Sequence, residues 1–481
     1  MDITESLVTL KYSLSHCFLL NMTEEKKESG KKESQEVYMS GTGFEVIGVR
    51  PIPDSSRYMT PSKVFIFWAM ASASATTPLI GYLLENLGLV NLVLVFTASL
   101  LLGLIPAGLF SEMGRQFPVP ALVVSRKTYG YLTSNAFSAL YTVVNIGWFG
   151  LNDSTGGLIV ASLLHSSPVL WYLVFGVIQV ILVMYGARIL EYFYRYTAVV
   201  LVACYAVLTY FLFRYYPVNL HDLLTSSSVD WGASIGLVLA FSLLSWTYKI
   251  STATRFARPY ERRSASYFLS APLGIMVPVY LMGILGFISQ KSAGNWNLPA
   301  VSFPVTSALA VVAGVASVGA ALAILHTNAM NLYPAVADFI TAVQPAFRSR
   351  RVEQISQPTS TVVIGIAGAV AAILGILQNA TAFLNFVGDI IFPYTFIVLL
   401  DWYLRLRPQM ESGKITVRDF YTPSRKVRDN VNPYSLGATA VGTLLNVVSI
   451  PALTPLYAYF PQDLFGSLVG ALLYFLFLRV T

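Results

Sequence analysis

Windows of about 20 apolar residues recur from Val64 almost to the C-terminus, and this feature most narrows what the chain can fold into. Hydrocarbon offers no partner to a backbone N–H or C=O, so repeated spans of this length admit only α-helices. Twelve windows can be placed, centred near Ala73, Leu100, Asn145, Val177, Val202, Leu239, Val279, Ala320, Ala369, Phe392, Thr443 and Leu472. The polar connections between them are short and leave no room for a soluble domain. Charged residues are 11% of the chain and hydrophobic ones 55%, whereas a soluble protein has about a quarter charged.

The formal charge of +7 does not point to nucleic acid, because the basic residues alternate along the chain instead of clustering on one surface. With the N-terminus in the cytoplasm, Arg115, Arg126, Lys127, Arg188, Arg255, Arg258, Arg348, Arg405 and Arg425 are among those in cytoplasmic loops. The opposite loops hold little beyond Arg214 and Lys291. That asymmetry orients a multi-pass protein of the plasma membrane with both termini cytoplasmic. Cys17 and Cys204 fall in the tail and in the fifth segment, so no structural disulfide is expected. Leu7–Leu20 contains Lys11 and His16 and does not read as a signal peptide. Glu24–Glu33, dense in Glu, Lys and Ser, reads as disordered tail.

Many membrane carriers are two inverted copies of one helical unit, with a site near the midplane where the first helix of each copy is broken. Segment 1 carries Ala71-Ser72-Ala73-Ser74-Ala75-Thr76-Thr77-Pro78, small and hydroxylic and closed by a proline that removes a backbone donor. Segment 6 carries Ser245-Trp246-Thr247-Tyr248-Lys249-Ile250-Ser251-Thr252, too polar for a face in lipid. The same five-segment offset links segment 3, with Trp148 and Asn152 at i and i+4, to segment 8, with Asn328 and Asn331 at i and i+3. The expected fold is therefore an all-α integral membrane protein of twelve helices. Residues 1–60 form a tail, 61–217 and 228–408 the inverted five-helix repeats with broken helices 1 and 6, and 432–481 two peripheral helices.

Small residues also serve simply to let membrane helices approach, so the segment 1 run can be packing as well as site. An amide in hydrocarbon is costlier, and Asn152, Asn328 and Asn331 must face protein or a cavity. An intramembrane enzyme would need a nucleophile with its base or a metal cluster. The four histidines, His16, His165, His221 and His326, form no such motif. No filter sequence of a channel is visible.

Read in order, several stretches resemble the nucleobase:cation symporters, the family of cytosine, purine, uracil, allantoin and hydantoin permeases. They are Gly48-Val49-Arg50-Pro51-Ile52-Pro53 with Arg57 and Phe67-Trp68, Glu112-Met113-Gly114 with Arg126-Lys127-Thr128-Tyr129-Gly130, Gly147-Trp148-Phe149-Gly150 with Asn152, Thr327-Asn328 with Leu332-Tyr333, and Pro393 with Asp401-Trp402-Tyr403. The resemblance implies the broken-helix repeat and secondary active symport of a cytosine- or purine-like base with H+ or Na+ by alternating access. Uracil, allantoin, hydantoin and thiamine are the alternative rings, and a membrane sensor or channel the alternative class. It implies a base stacked on Trp148 and read by Asn152 and Asn328, with Thr76 and Asn331 nearby. Leu243 or Trp246 would be the second aromatic position. Relatives place an Asp shortly before the segment 6 arginine, where this chain has Thr252 before Arg255.

By the same resemblance the coupling cation sits among Ala71, Ser74, Ala323, His326 and Thr327. His326 occupies a hydroxyl position; imidazole suits a proton better than a hard alkali ion, so H+ coupling is expected, with Na+ the alternative. Lys249 is a second candidate for supplying the ion's charge, or it snorkels to the interface. Beyond the coupling ion no cofactor is expected. The partners are a small base, the cation and lipid, with no nucleic acid and a monomeric chain.

Overall fold

Helix forms at eleven of the twelve expected centres, and the remaining one, Ala73, sits where a helix stops. The computed structural model describes residues 45, 47–227, 229–259, 264–343, 350–424, 426 and 430–480. The tail features at Leu7–Leu20 and Glu24–Glu33, with Cys17, lie outside them. An isolated β-bridge joins Met59 to Ala257. The expected first repeat holds α1 (Pro61–Ser72), α2 (Leu79–Leu83), α3 (Leu89–Gln116), α4 (Ala121–Tyr129, a loop helix), α5 (Tyr131–Leu164), α6 (Pro168–Met184) and α7 (Ala187–Tyr215). After the short α8 (Leu220–Leu224), the expected second holds α9 (Trp231–Phe241), α10 (Leu243–Thr254), α11 (Ser264–Ala293), α12 (Ser307–Ala321), α13 (Ile324–Val343), α14 (Arg350–Ile373) and α15 (Ala380–Asp401). A π turn, Trp402–Leu406, leads from α15 into α16 (Arg407–Glu411); α17 (Pro433–Val447), α18 (Thr454–Tyr457) and α19 (Gln462–Val480) follow.

Among the described residues seven helical stretches, α9–α10 and α12–α13 each counted as one, are long and apolar enough to cross a membrane, and eight if the bent pair α17–α18 is one span. The others fall short for local reasons. Segment 1 is split into α1 and α2, α6 and the Gln357–Ile373 part of α14 are shorter, and α5 buries Asn145, Asn152 and Asp153 on its inner face. Burial runs inside out: Val199 is 74% exposed and Leu374 78%, while Asn328 and Asn331 are fully buried. Such an arrangement is stable when the solvent is lipid.

Two sets of helices pack separately. α1 lies on α11, and α3 on α10 and α11; α5 lies on α13, α14 and α6. Segments 1, 2, 6 and 7 thus form one set and segments 3, 4, 8 and 9 the other, each set pairing a segment with its counterpart five later. α17 packs on α19, and both pack on α15 at the periphery.

The interruption in segment 6 falls at Ser242 (φ −125°, ψ −105°), three residues before the polar run that suggested it. Ser245–Thr252 is continuous buried helix, and three of its hydroxyls are satisfied back along the chain, Ser245 Oγ to Ser242 O at 3.0 Å, Thr247 Oγ1 to Leu244 O at 2.8 Å and Ser251 Oγ to Tyr248 O at 2.9 Å. Residue 45 and residues 47–59, expected within a tail, are instead packed in: Glu45, Ile47, Val49, Ile52 and Met59 are buried.

Candidate functional site

Leaving the helix at Ala73 (φ −77°, ψ 64°) strands backbone groups in a dry interior, and the hydroxyls of the segment 1 run take them up. Thr77 Oγ1 donates to Ser72 O at 2.5 Å and accepts from Ser74 N at 3.1 Å, while Thr76 N donates to Ser74 Oγ at 3.2 Å. Ser74 Oγ in turn donates to Asn152 Oδ1 at 2.8 Å, and Asn152 Nδ2 donates to Trp148 O at 2.8 Å. The break in segment 1 is thereby tied to the amide on segment 3.

Between the two breaks lies a cavity of about 20 Å³, lined by Ser72, Ser74, Thr76, Thr77, Trp148, Asn152, Phe241, Ser242, Trp246, Ile275 and Thr327. That volume admits about one water. No lining residue is charged. Trp148 meets Phe241 and Phe383 edge-on with centroids 5.8 and 5.3 Å away, and Trp246 meets Trp68 at 5.7 Å. Trp148 Nε1, Trp246 Nε1, Thr76 Oγ1 and Thr327 Oγ1 are buried without a hydrogen-bond partner.

Of the candidate residues, the structure brings together Ser74, Thr76, Trp148, Asn152, Trp246 and Thr327 on this wall. Leu243 is turned away: it packs against Gly103 of α3, where an added Cβ would lie 2.8 Å from the Leu243 Cβ. Asn328 is also outside the cavity lining. Its Nδ2 lies 3.0 Å from Phe149 O, 3.2 Å from Asp153 Oδ1 and 3.1 Å from Gln179 Oε1. Asn331 Nδ2 donates to Asn328 Oδ1 at 3.1 Å, and Lys249 Nζ donates to Asn331 Oδ1 at 2.7 Å. Lys249 is fully buried, 5.3 Å over the Trp246 ring, so it does not snorkel. A polar chain therefore runs from segment 6 through segment 8 to segments 3 and 4.

Asp153, Gln179 and Asp338, whose Oδ2 accepts from Asn145 Nδ2 at 2.9 Å, belong to this interior and escaped the sequence reading. The signal was present for the two aspartates, since a carboxyl inside a span is itself a mark of function. Gln179 gave none until its partners were placed.

Ala71 and Ala323 are buried at the end of α1 and at the distortion between α12 and α13. Ser74 and Thr327 put hydroxyls on the cavity wall beside them. His326 faces segment 5 instead. Its ring stacks on Phe193 at 4.8 Å, and Nε2 lies 2.6 Å from Thr197 Oγ1. Thr197 Oγ1 also lies 2.6 Å from Phe193 O, and the imidazole is held against the Ala323 backbone as well.

A family model described as a permease for cytosine/purines, uracil, thiamine and allantoin matches residues 51–465. The chain belongs to that family. Like its relatives in this permease family it is a membrane transporter and not an enzyme. A hydantoin permease of Microbacterium maritypicum is 20% identical over 396 residues, 77% of each chain. Among solved structures, Mhp1, a nucleobase-cation-symport-1 family transporter in a closed conformation with bromovinylhydantoin bound, superposes with a TM-score of 0.73 at 19% identity, covering 90% of this chain and 94% of its own. Inward-facing Mhp1 gives 0.71 at 18% identity over the same shares. A Na+-coupled sialic acid symporter in a substrate-bound outward-open state gives 0.60 at 13%, covering 96% and 95%. At these identities the likeness carries the fold. Two of the permease-like motifs meet in it: Asp401 Oδ2 accepts from Thr128 Oγ1 at 2.7 Å while Arg405 grips the same carboxylate at 2.6 and 2.7 Å.

Proposed function

We propose that this permease carries a neutral, planar nucleobase-type ring inward together with a cation, by opening the cavity between Trp148 and Trp246 first to one side of the membrane and then to the other. The observation that carries the reading is a charge-free cavity placed at both helix breaks and flanked by two indoles. A flat ring offers two faces for stacking and an edge of donors and acceptors, which four unpartnered polar atoms on the wall are able to meet. A carrier of carboxylates would want a guanidinium, an ammonium or a helix N-terminus in contact. The hydantoin permease and bromovinylhydantoin-bound Mhp1 handle rings of this kind, which supports the same class here. A pocket for such a ligand takes roughly 300 Å³ or more, so the walls must part to admit it.

For the coupling ion the reading favours H+. Carbonyls at Ala71 and Ala323 and the hydroxyls of Ser74 and Thr327 would suit a hard cation, but a further hydroxyl place holds His326, a poor ligand for one. The His326 imidazole, set between Thr197 and the Ala323 backbone, is where the exchanged proton would sit. In proteoliposomes, uptake of labelled uracil or cytosine is expected to follow an imposed pH gradient and to ignore sodium. His326→Ser, which restores the hydroxyl, is expected to shift the dependence toward sodium. Full activity of the unaltered protein on a sodium gradient alone overturns the proton assignment.

A further inference from the structure

The two helix sets are tied together at one end by the segment before α1, and the residues that tie them are buried polar ones the transport site does not use. Tyr333 of α13 is the centre. Its hydroxyl donates to Glu45 Oε1 at 2.7 Å and accepts from Arg255, at the end of α10, at 2.8 Å. Glu45 Oε2 accepts the Ala187 N–H at the start of α7 at 2.9 Å, and Glu45 N donates to Met184 O at the end of α6 at 3.1 Å. Arg255 also donates to Gly48 O at 2.9 Å, and Gly48 N donates to Gln357 Oε1 of α14 at 2.9 Å. Glu45 is fully buried, and Arg255 and Tyr333 nearly so.

Further along the segment, Arg57 reaches Ala257 O at 2.8 Å and Arg115 O at the end of α3. The strap thus holds segments 2 and 6 of one set against segments 4, 8 and 9 of the other. Gly186 shows how closely Glu45 is seated: a Cβ there would lie 2.1 Å from Glu45 Oε2, and its φ of +81° is one that only glycine adopts freely.

We infer that the Glu45–Tyr333–Arg255 knot is the gate on the N-terminal, cytoplasmic side of the carrier. The inference rests on the transport reading above. If one helix set rocks against the other, a knot with partners in both sets has to part before the cavity opens to that face. A carboxylate accepting from a helix N-terminus and a phenol is held more firmly than a neutral group, and its release exposes it to water that stabilises it. The closed and open states are thereby kept close in free energy.

The test is cysteine accessibility in membranes. In a background lacking Cys17 and Cys204, Thr327→Cys places a thiol on the cavity wall, and a membrane-impermeant maleimide is applied to inside-out or right-side-out vesicles. Tyr333→Phe deletes one oxygen, and Glu45→Gln removes the charge. Each is expected to raise labelling from the N-terminal face about tenfold or more, the population shift set by losing one charge-assisted hydrogen bond or, in Tyr333→Phe, two, with no rise from the opposite face. Gly186→Ala, which unseats Glu45 while leaving all three side chains of the knot in place in the sequence, is expected to do the same. Unchanged labelling in Tyr333→Phe and Glu45→Gln overturns the gate, and so does an equal rise from both faces, which marks general loosening. Labelling does not depend on substrate, so failure of every ring to be transported counts against the transport reading and leaves the gate measurement standing.

Discussion

Asn328 and Thr76 are both buried polar residues on interrupted or distorted segments, yet the structure gives them opposite roles. Asn328 holds its neighbours together: without it Asn331 Nδ2 loses its acceptor, and Phe149 O, Asp153 and Gln179 lose a donor. Each buried group left unpaired costs about 1–3 kcal/mol. Thr76 Oγ1 has no partner to lose. Asn328→Ala is therefore expected to lower the melting temperature of the empty protein by several degrees, whereas Thr76→Ala leaves it in place and weakens stabilisation by added base. Thermal unfolding of both variants with and without uracil or cytosine checks this, and an unshifted empty Asn328→Ala protein contradicts it. The sequence showed that these amides must be paired, and with Trp148, Asn152 and Trp246 it named much of the wall. It did not show with whom they pair, because the partners Gln179, Asp153 and Lys249 lie on three other segments and no spacing along the chain connects them.

Broken segments differ in how plainly they announce themselves. The interruption in segment 1 was legible because Pro78 removes a donor and four hydroxylic residues, Ser72, Ser74, Thr76 and Thr77, stand ready to bond the freed backbone. The one at Ser242 has neither Pro nor Gly, and the conspicuous polar run beyond it stays helical, with three of its hydroxyls satisfied back along the chain. Small residues carry a second element-level role. The short α2 rests on α11 with almost no gap: a Cβ on Gly81 would lie 1.9 Å from Gly283 O, and one on Gly286 would lie 2.1 Å from Pro78 O. Backbone is in the way at both places, so Gly286→Val must push α2 off α11 and disturb the break it follows. Loss of a monodisperse protein, or of transport in whatever folds, is the expected outcome in size-exclusion and uptake assays. Full uptake by Gly286→Val would show that α2 need not sit where it does.

At the scale of the molecule, the all-helical character, with helix at eleven of the twelve expected centres, followed from apolar windows alone, since hydrocarbon forces helix on any span of sufficient length. How eight of the segments sort into two sets did not, because packing partners in lipid are chosen by shape and by polar contacts that sequence periodicity does not display. The central claim is that the space between Trp148 and Trp246 is presented to each side of the membrane in turn. Counterflow tests it most directly: proteoliposomes loaded with unlabelled base are diluted into a trace of labelled base with no ion gradient. The account predicts a transient overshoot of label inside, saturable and lost in Trp148→Ala. Simple equilibration without an overshoot, in vesicles shown to contain folded protein and for every nucleobase-type ring tried, would contradict it.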